Sequence, residues 1–480
     1  MNSNFSRRDF LKTSAATTAG LFFVVPSNAV SGLGHVAPSD KLNIAGIGVG
    51  SKGAVNLDNM KSENIVALCD IDWQYAKHVF DKYPSAKRYK DFRVMLNEFG
   101  KSIDAVVIAT PDHTHAVSAM ACMQLGKHVY VQKPLTHSVY ESRALLEASR
   151  RYKVVTQMGN EGHSSATVSD VCEWIWSGAI GEVTHVDAWT NRPIWPQGLT
   201  RPEQGMWVPE YIDWDLFIGP AKMRPYHRAY HPWDWRGWWD FGTGALGDMA
   251  CHVLDVVFSA MKLGHPTAVE ASSTAFNTES APMASTIHYE FPARPKEGKL
   301  NMPAVGVTWY DGGLLPNRPA AIPDNIELGL DRNGVIFHGT KGVLMCGNYG
   351  EKYKLYPEDK FRSLPKPAAR LRRVETSHEM DFVRACKESA ENRVMPLSNF
   401  EYAGPLNEMV VMGNLAVRLK SLNKKLLWNG EEMRITNLAP DDKIAVTNGI
   451  PKEEPRTLTI NAIEASTEYV KHNYREGWTL

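Results

Sequence analysis

The chain has 480 residues, of which 43% are hydrophobic and 22% charged, with Lys+Arg and Asp+Glu both numbering 53. That length supports about two or three domains with cores of their own, and the zero formal charge removes any electrostatic case for nucleic acid or an anionic membrane. Beyond residue 30 no apolar run reaches the ~18 residues needed to cross a bilayer, and six cysteines without a CxxC pair signal neither a zinc ribbon nor a disulfide scaffold.

Residues 1–30 read as an address. Ser6-Arg7-Arg8-Asp9-Phe10-Leu11-Lys12 precedes a mildly apolar stretch, Thr13 to Val25, and then small residues at Ser27-Asn28-Ala29. A basic start, a short apolar centre and a small-residue cleavage point describe a signal peptide. The paired arginines resemble the bacterial twin-arginine export signal, which implies a periplasmic destination and folding before export. Residues 31–40 follow as a linker.

Leu42 to Ile47 is expected to be a buried parallel strand. It runs into Gly48-Val49-Gly50-Ser51-Lys52-Gly53 and a helix, and a second strand, Ile65 to Cys69, ends at Asp70. Gly48 suits a tight turn, Gly50 a close approach to pyrophosphate and Gly53 close helix–strand packing. Ser51 and Lys52 open the helix whose amides form the anion site. Asp70, with Asp72 as a second candidate, sits where a carboxylate accepts the adenosine ribose hydroxyls. A carboxylate there repels a 2′-phosphate, so NAD is expected rather than NADP.

Strands at Ala105–Thr110, His128–Val131 and Val154–Met158 alternate with helices at Ala116–Leu125 and from Ser138 to about Tyr152, the latter opened by a capping box with Glu141. The alternation predicts an α/β fold whose N-terminal domain, residues 41–160, is a Rossmann doubly wound parallel sheet. Ligands lie beyond the carboxyl ends of such strands. That selects the loops Pro111 to His115, Gln132 to Pro134 and Gly159 to His163, with Thr110 at the edge of the first.

At Gln132-Lys133-Pro134-Leu135 the chain resembles the Gfo/Idh/MocA oxidoreductases. The resemblance also rests on Gly48/Gly50/Gly53, Asp70, Thr110 to His115 and Gly247-Asp248-Met249-Ala250-Cys251-His252. It implies that Lys133, Asp248 and His252 are catalytic. It further implies a C-terminal α+β domain, residues 161–480, with an open mixed or antiparallel sheet for substrate binding and oligomerisation. The family's glutamate before the lysine is Gln132 here, so its contact with the nicotinamide ribose is in question, and Lys133 loses a carboxylate neighbour.

The residue chemistry points the same way. Oxidising a secondary alcohol needs an acceptor for the hydroxyl proton, and histidine titrates near neutrality. Asp248 and His252, four apart, share one helix face, where the carboxylate is expected to orient the imidazole. Lys133 is expected to hold the substrate hydroxyl. His113 and His115 belong to the candidate cofactor loop; His113 along the nicotinamide and His163 against substrate both stay open beside structural roles. No histidine pair has metalloenzyme spacing, so no metal is expected.

From about Asn160 the pattern changes. A helix at Thr167–Trp176 and a strand at Val183–Trp189 precede a long loop, Thr190 to Gly247, and eight of the 14 tryptophans fall between Trp189 and Trp239. A loop of that length is usually functional. Flat aromatic faces with Arg and His between them suit a sugar, with Tyr226, His231, Trp235 and Arg236 as candidate substrate contacts. Strands at Ala268–Phe276, Ser285–Phe291, Val305–Trp309, Gly334–His338 and Val343–Cys346 complete a mixed sheet, Asn399–Leu419 is a long helix and Pro451–Leu480 a tail. Fold analogy adds a homo-oligomer, dimer or tetramer, to cover the open sheet.

The expected function is hydride transfer between a ring carbon of a sugar or glycoside, C3 favoured, and tightly bound NAD. Two alternatives stay open: an NAD-dependent glycoside hydrolase acting through transient C3 oxidation and elimination, and a non-catalytic sugar-binding accessory protein.

Overall fold

The computed structural model describes residues 40–298 and 300–480. The expected signal peptide, 1–30, and residues 31–39 of the expected linker lie outside the described residues.

Residues 43–158 alternate strand and helix: Asn43–Ile47 (β1), Lys52–Asn59 (α1), Asn64–Cys69 (β2), Lys77–Lys82 (α2), Lys87–Tyr89 (β3), Phe92–Phe99 (α3), Ala105–Ile108 (β4), His115–Gln124 (α4), His128–Val131 (β5), Val139–Tyr152 (α5) and Thr156–Met158 (β6). The strands lie in the order β3-β2-β1-β4-β5-β6 and every neighbouring pair is parallel. This is the expected doubly wound sheet. Helices on both faces leave β4 wholly buried, which explains its uninterrupted Ala-Val-Val-Ile. At the start of α5, Ser138 and Glu141 close the capping box reciprocally. The strand order reverses between β1 and β4, so their carboxyl ends open the crevice where such sheets bind ligands.

The following residues form Ala166–Trp176 (α6), Val183–Trp189 (β7), Trp214–Ile218 (α7), Gly244–Ala260 (α8), Ala268–Ser273 (β8), Ser285–Phe291 (β9), Arg294–Glu297 (β10), Leu300–Met302 (β11), Val305–Tyr310 (β12), Gly334–Gly339 (β13), Gly342–Cys346 (β14) and Lys354–Tyr356 (β15). Then come Glu358–Phe361 (α9), His378–Lys387 (α10), Phe400–Arg418 (α11), Leu426–Asn429 (β16), Arg434–Ile435 (β17), Lys443–Thr447 (β18), Thr457–Asn461 (β19) and Ala462–Val470 (α12). Nine strands make a mixed sheet, β15-β14-β13-β7-β12-β9-β8-β16-β17, in which β7 and β12 are parallel. Along β9, buried and half-buried residues alternate, as they must when one face packs on helices.

Helix α11 packs against both α5 and α8. One apolar core therefore runs from Val106 and Val129 through Leu145 and Met409 to Val253. Asn407 of α11 also reaches the loop after β5: its Oδ1 accepts from Leu135 N at 2.9 Å, and its Nδ2 donates to Thr136 Oγ1 at 2.9 Å. Pro451–Leu480, expected as a tail, instead contains β19 and α12. The segment beyond α12 is pinned by His472, whose Nε2 lies 3.0 Å from His137 Nδ1, and by Tyr474, whose hydroxyl donates to Glu141.

Candidate active site

The carboxyl ends of the parallel strands and the start of α8 enclose a cavity of about 750 Å³. One wall carries Gly48, Gly50, Ser51, Lys52, Asp70, Thr110, Pro111, Gln132 and Lys133. The facing wall carries His231, Trp235, Arg236, Asp248 and His252.

The first wall is shaped by missing side chains. Gly48 has φ +76°, and a Cβ there would lie 2.7 Å from the backbone of Ala109. A Cβ on Gly53 would lie 2.0 Å from Gly48 O, so this glycine lets the helix press against its own turn. Asp70 Oδ2 accepts from Val49 N at 2.8 Å and Gly50 N at 3.1 Å, and Oδ1 from Asp72 N at 3.0 Å. Burial pushes the Asp70 carboxyl up, and these three amides pull against it. Three of about four lone-pair sites are filled, which leaves room for a ribose hydroxyl. Ser51 does not cap α1 with its side chain and Ala54 N turns back to Ser51 O at 2.9 Å, so it is the amides before Ala54 that an anion would meet. These residues fit a dinucleotide.

The catalytic candidates meet at the other end. Lys133 Nζ lies 2.9 Å from Asp248 Oδ1 and 2.9 Å from Asp248 O. Arg236 Nε approaches the same Oδ1 at 3.4 Å. Burial alone raises the Asp248 carboxyl, but the Lys133 and Arg236 charges outweigh it and hold it at about 2. His252 opens onto the same cavity, and its buried Nδ1 has no hydrogen-bond partner among the described residues. Burial, reinforced by the Lys133 charge, lowers its imidazole to about 3. Asp248 was expected to orient His252. It serves the two cations instead, because an ammonium at 2.9 Å outcompetes a neutral imidazole one turn along the helix. Tyr349 stands edge-on to the His252 ring at 5.2 Å.

Gln132 lines the cavity and donates through Nε2 to Asn56 Oδ1 at 2.8 Å. The carboxylate that Lys133 lacks beside it in sequence is thus supplied by Asp248, from the other half of the chain.

Six expected contact residues stand behind the cavity wall. Gly53 is covered by its own turn. Asp72 accepts from Gln74 N and Tyr75 N and binds His231 Nε2 at 2.8 Å, so it holds a wall residue rather than a ligand. His113 lies between Phe217 O at 3.0 Å and Phe241 O at 3.2 Å, because the turn at Asp112–Thr114 aims it into the core. His115 bridges Pro134 O and Thr110 O, both at 2.8 Å, tying the loops after β4 and β5 together. His163 Nδ1 pairs with Asp255 at 3.0 Å and stacks on Tyr402. Tyr226 packs edge-on to Trp214 at 5.1 Å. Each of these rings finds its partner within the protein rather than in the cavity.

The tryptophans divide in the same way. Trp214, Trp235 and Trp238 join Phe217, Tyr230 and Phe241 in an aromatic core of their own, with indole N–H groups donated to Arg224 O and Ala229 O from Trp214 and Trp238. Only Trp195, Trp233 and Trp235 of this loop line the cavity. The Arg236 guanidinium sits 4.0 Å from the Trp233 ring, 4.4 Å from Trp235 and 5.9 Å from Trp195.

Three lining features lay beyond the sequence reading. Lys52 Nζ bridges to Glu161 at 2.8 Å. Asp112 accepts from Thr243 N and Oγ1, and burial pushes its carboxyl up to about 7. Trp478, more than two hundred residues from Asp248, lines the far end beside Asp91 and Phe92. The first two rest on motif loops that periodicity had located, whereas no pattern marks Trp478. Among the described residues, no cluster of three or more His, Cys, Asp or Glu is arranged to hold a metal, and no helix is long and apolar enough to cross a membrane.

Comparison with known proteins agrees with this geometry. A model of the oxidoreductase family with an NAD-binding Rossmann fold matches residues 42–160, and the family's C-terminal alpha/beta domain matches 165–293. A twin-arginine translocation signal matches residues 4–23 and marks the chain for export. An alpha-N-acetylgalactosaminidase of Shewanella oneidensis is 27% identical over 232 residues, 42% of this chain and 50% of that protein. A glycosyl hydrolase family 109 protein of Shewanella putrefaciens is 30% identical over 212 residues, 38% of this chain and 46% of that protein. The chain thus spans about half the length of the curated relatives it matches. In fold it is similar to the WlbA dehydrogenase of Bordetella pertussis, solved with NADH and UDP-GlcNAcA, with TM-score 0.55 and 16% identity over 81% of this chain and 99% of that one. The Rossmann sheet, the glycine turn and the two family matches, which together exceed half of the sequence, establish that the chain belongs to the Gfo/Idh/MocA oxidoreductases.

Proposed function

We propose that this protein is an exported, periplasmic oxidoreductase acting on a ring carbon of a sugar or glycoside, C3 favoured, with tightly held NAD. The observation that carries the reading is the convergence of Lys133 and His252, from opposite halves of the chain, on the cavity that begins at the glycine turn. Bound along that turn, the nicotinamide dinucleotide supplies the hydride acceptor or donor.

The chain's own residues supply the rest. Gly48, Gly50, Ser51 and Lys52 hold the pyrophosphate, and Asp70 takes the adenosine ribose, which favours NAD over NADP. Lys133 Nζ holds the substrate hydroxyl and stabilises negative charge as it develops on that oxygen. His252, kept unprotonated by burial, accepts the hydroxyl proton. Asp248 keeps Lys133 aimed. Trp195, Trp233 and Trp235 offer flat faces to the C–H side of a sugar ring, and Arg236 a hydrogen-bond fork.

A second reading, redox-neutral glycoside hydrolysis through transient C3 oxidation, is favoured by the glycosidase names of the curated relatives. It uses the same Lys133 and His252. Incubation with a nitrophenyl glycoside separates the two. Accumulating keto-sugar or NADH supports the dehydrogenase; aglycone release with neither supports the hydrolase. A protein active in neither assay on a broad glycoside panel counts against both readings. We further propose a dimer or tetramer, supported by the half-buried row Thr286, His288 and Glu290 on the open face of the sheet and tested by light scattering.

A further inference from the structure

The cavity has two ends, and only one is accounted for by Lys133 and His252. The other is bounded by Asp70 and Ile71 after β2, by Lys90, Asp91 and Phe92 after β3, and by Trp478. In a doubly wound sheet the acid after β2 binds the adenosine ribose, so the base carried by that ribose lies beyond it, toward the end of β3. Trp478 stands at that place, its ring 6.1 Å from Phe92, with the Arg93 guanidinium 4.4 Å from its centroid.

Its position is held from several sides. Arg475 N donates to Pro220 O at 2.9 Å, and its side chain to Gly219 O at 3.0 Å and Asp215 Oδ1 at 2.5 Å. Trp478 N then donates to Arg475 O at 3.1 Å. Upstream, Tyr474 is fixed on Glu141 at 2.8 Å and His472 on His137 at 3.0 Å. Ordering so many residues across one face is entropically costly, and the ordered segment ends by delivering an indole into the nucleotide groove.

We propose that Trp478 closes the adenine end of this groove by stacking on the base, and that the segment 472–478 is a latch retaining the dinucleotide. The inference rests on the NAD reading above and explains how the cofactor stays bound outside the cytoplasm, where free nucleotide is scarce. Base–aromatic stacking contributes a factor of about five to a hundred in affinity.

The test is calorimetric titration of the nucleotide-free full chain with ADP-ribose, which keeps the adenine, both riboses and the pyrophosphate and lacks only the nicotinamide. Trp478→Leu keeps an apolar contact with Phe92 but has no flat ring, and is expected to raise the dissociation constant about tenfold. Trp478→Phe is expected to stay within about threefold of wild type, and the urea midpoint of both nucleotide-free variants to match wild type. An unchanged affinity in Trp478→Leu, or an equal loss in Leu and Phe variants, overturns the latch while leaving the NAD reading intact. A wild-type chain that binds neither ADP-ribose nor NAD overturns the underlying reading and the latch with it.

Discussion

Lys133 Nζ lies 2.9 Å from both the Oδ1 and the main-chain oxygen of Asp248, across 115 residues of sequence. Both side chains are less than one-fifth exposed. The pair fixes the ammonium at the head of α8, within one helical turn of His252, so ammonium and imidazole are held on one rigid element.

The two halves of this pair respond differently to removal. Asp248→Asn leaves Lys133 and Arg236 as neighbouring cations with no anion between them. It is expected to lower unfolding free energy by about 3 kcal/mol. Lys133→Met leaves Asp248 still facing Arg236 and is expected to cost less stability, while turnover falls about a thousandfold with nucleotide binding retained. Urea titrations and steady-state rates check both; equal stability losses contradict the shared-anion geometry.

His252 is held near 3 by burial and by the charge of Lys133, so at neutral pH the imidazole is unprotonated and, on the proposed function, lower pH does not switch it off until far into the acid range. In Asp112→Asn, which removes the carboxyl that burial pushes up to about 7, the expected kcat/KM for alcohol oxidation is flat within about twofold from pH 5 to 7. His252→Ala is expected to lose a factor of about 100 to 10,000. An acid limb centred near 6.5 that persists in Asp112→Asn rules out this environment for the His252 imidazole.

Asp70 faces the ribose end with its lone pairs mostly occupied by backbone amides. Asp70→Ser removes the anion that repels a 2′-phosphate and is expected to shift the ratio of NADP to NAD affinity toward NADP by about tenfold or more. Fluorescence titration with both reduced cofactors measures it, and an unchanged ratio removes Asp70 as the discriminating residue.

His137 and His472 share one N–H···N hydrogen bond. Burial lowers them to about 3 and about 4. Unfolded, each takes up a proton near 6.5; folded, neither does until the pH is far lower. Their stabilising contribution is therefore complete above 6.5 and is lost as pH falls toward 3, at about 1.4 kcal/mol per unit for each. Urea midpoints at pH 7.5 and 5.0 are expected to differ less in His472→Phe than in the wild type.

The parallel sheet and its ligand loops were legible in the sequence because they rest on local signals. Buried strands read as apolar runs, Gly48 and Gly53 stand where no Cβ fits, and Ser138 with Glu141 announces α5. The antiparallel strands were legible where one face is buried, as in β9. What escaped depends on long-range pairing. Asp248 looks like a partner for His252 at helical spacing, and only the fold brings Lys133 and Arg236 to it. His113, His163 and Tyr226 carry suitable chemistry, yet carbonyls, a carboxylate and an indole in the core claim them. Trp478 sits in a stretch with no periodicity, and its place follows from partners such as Glu141 and Gly219 that no spacing encodes.

Arg236 faces three indoles and the Asp248 carboxylate at once. Any group that draws this guanidinium away therefore also changes the charge facing Asp248 and Lys133. On the proposed function, selectivity and reactivity are wired through one guanidinium, so remodelling the lip for a new ligand requires retuning the chemistry in the same step.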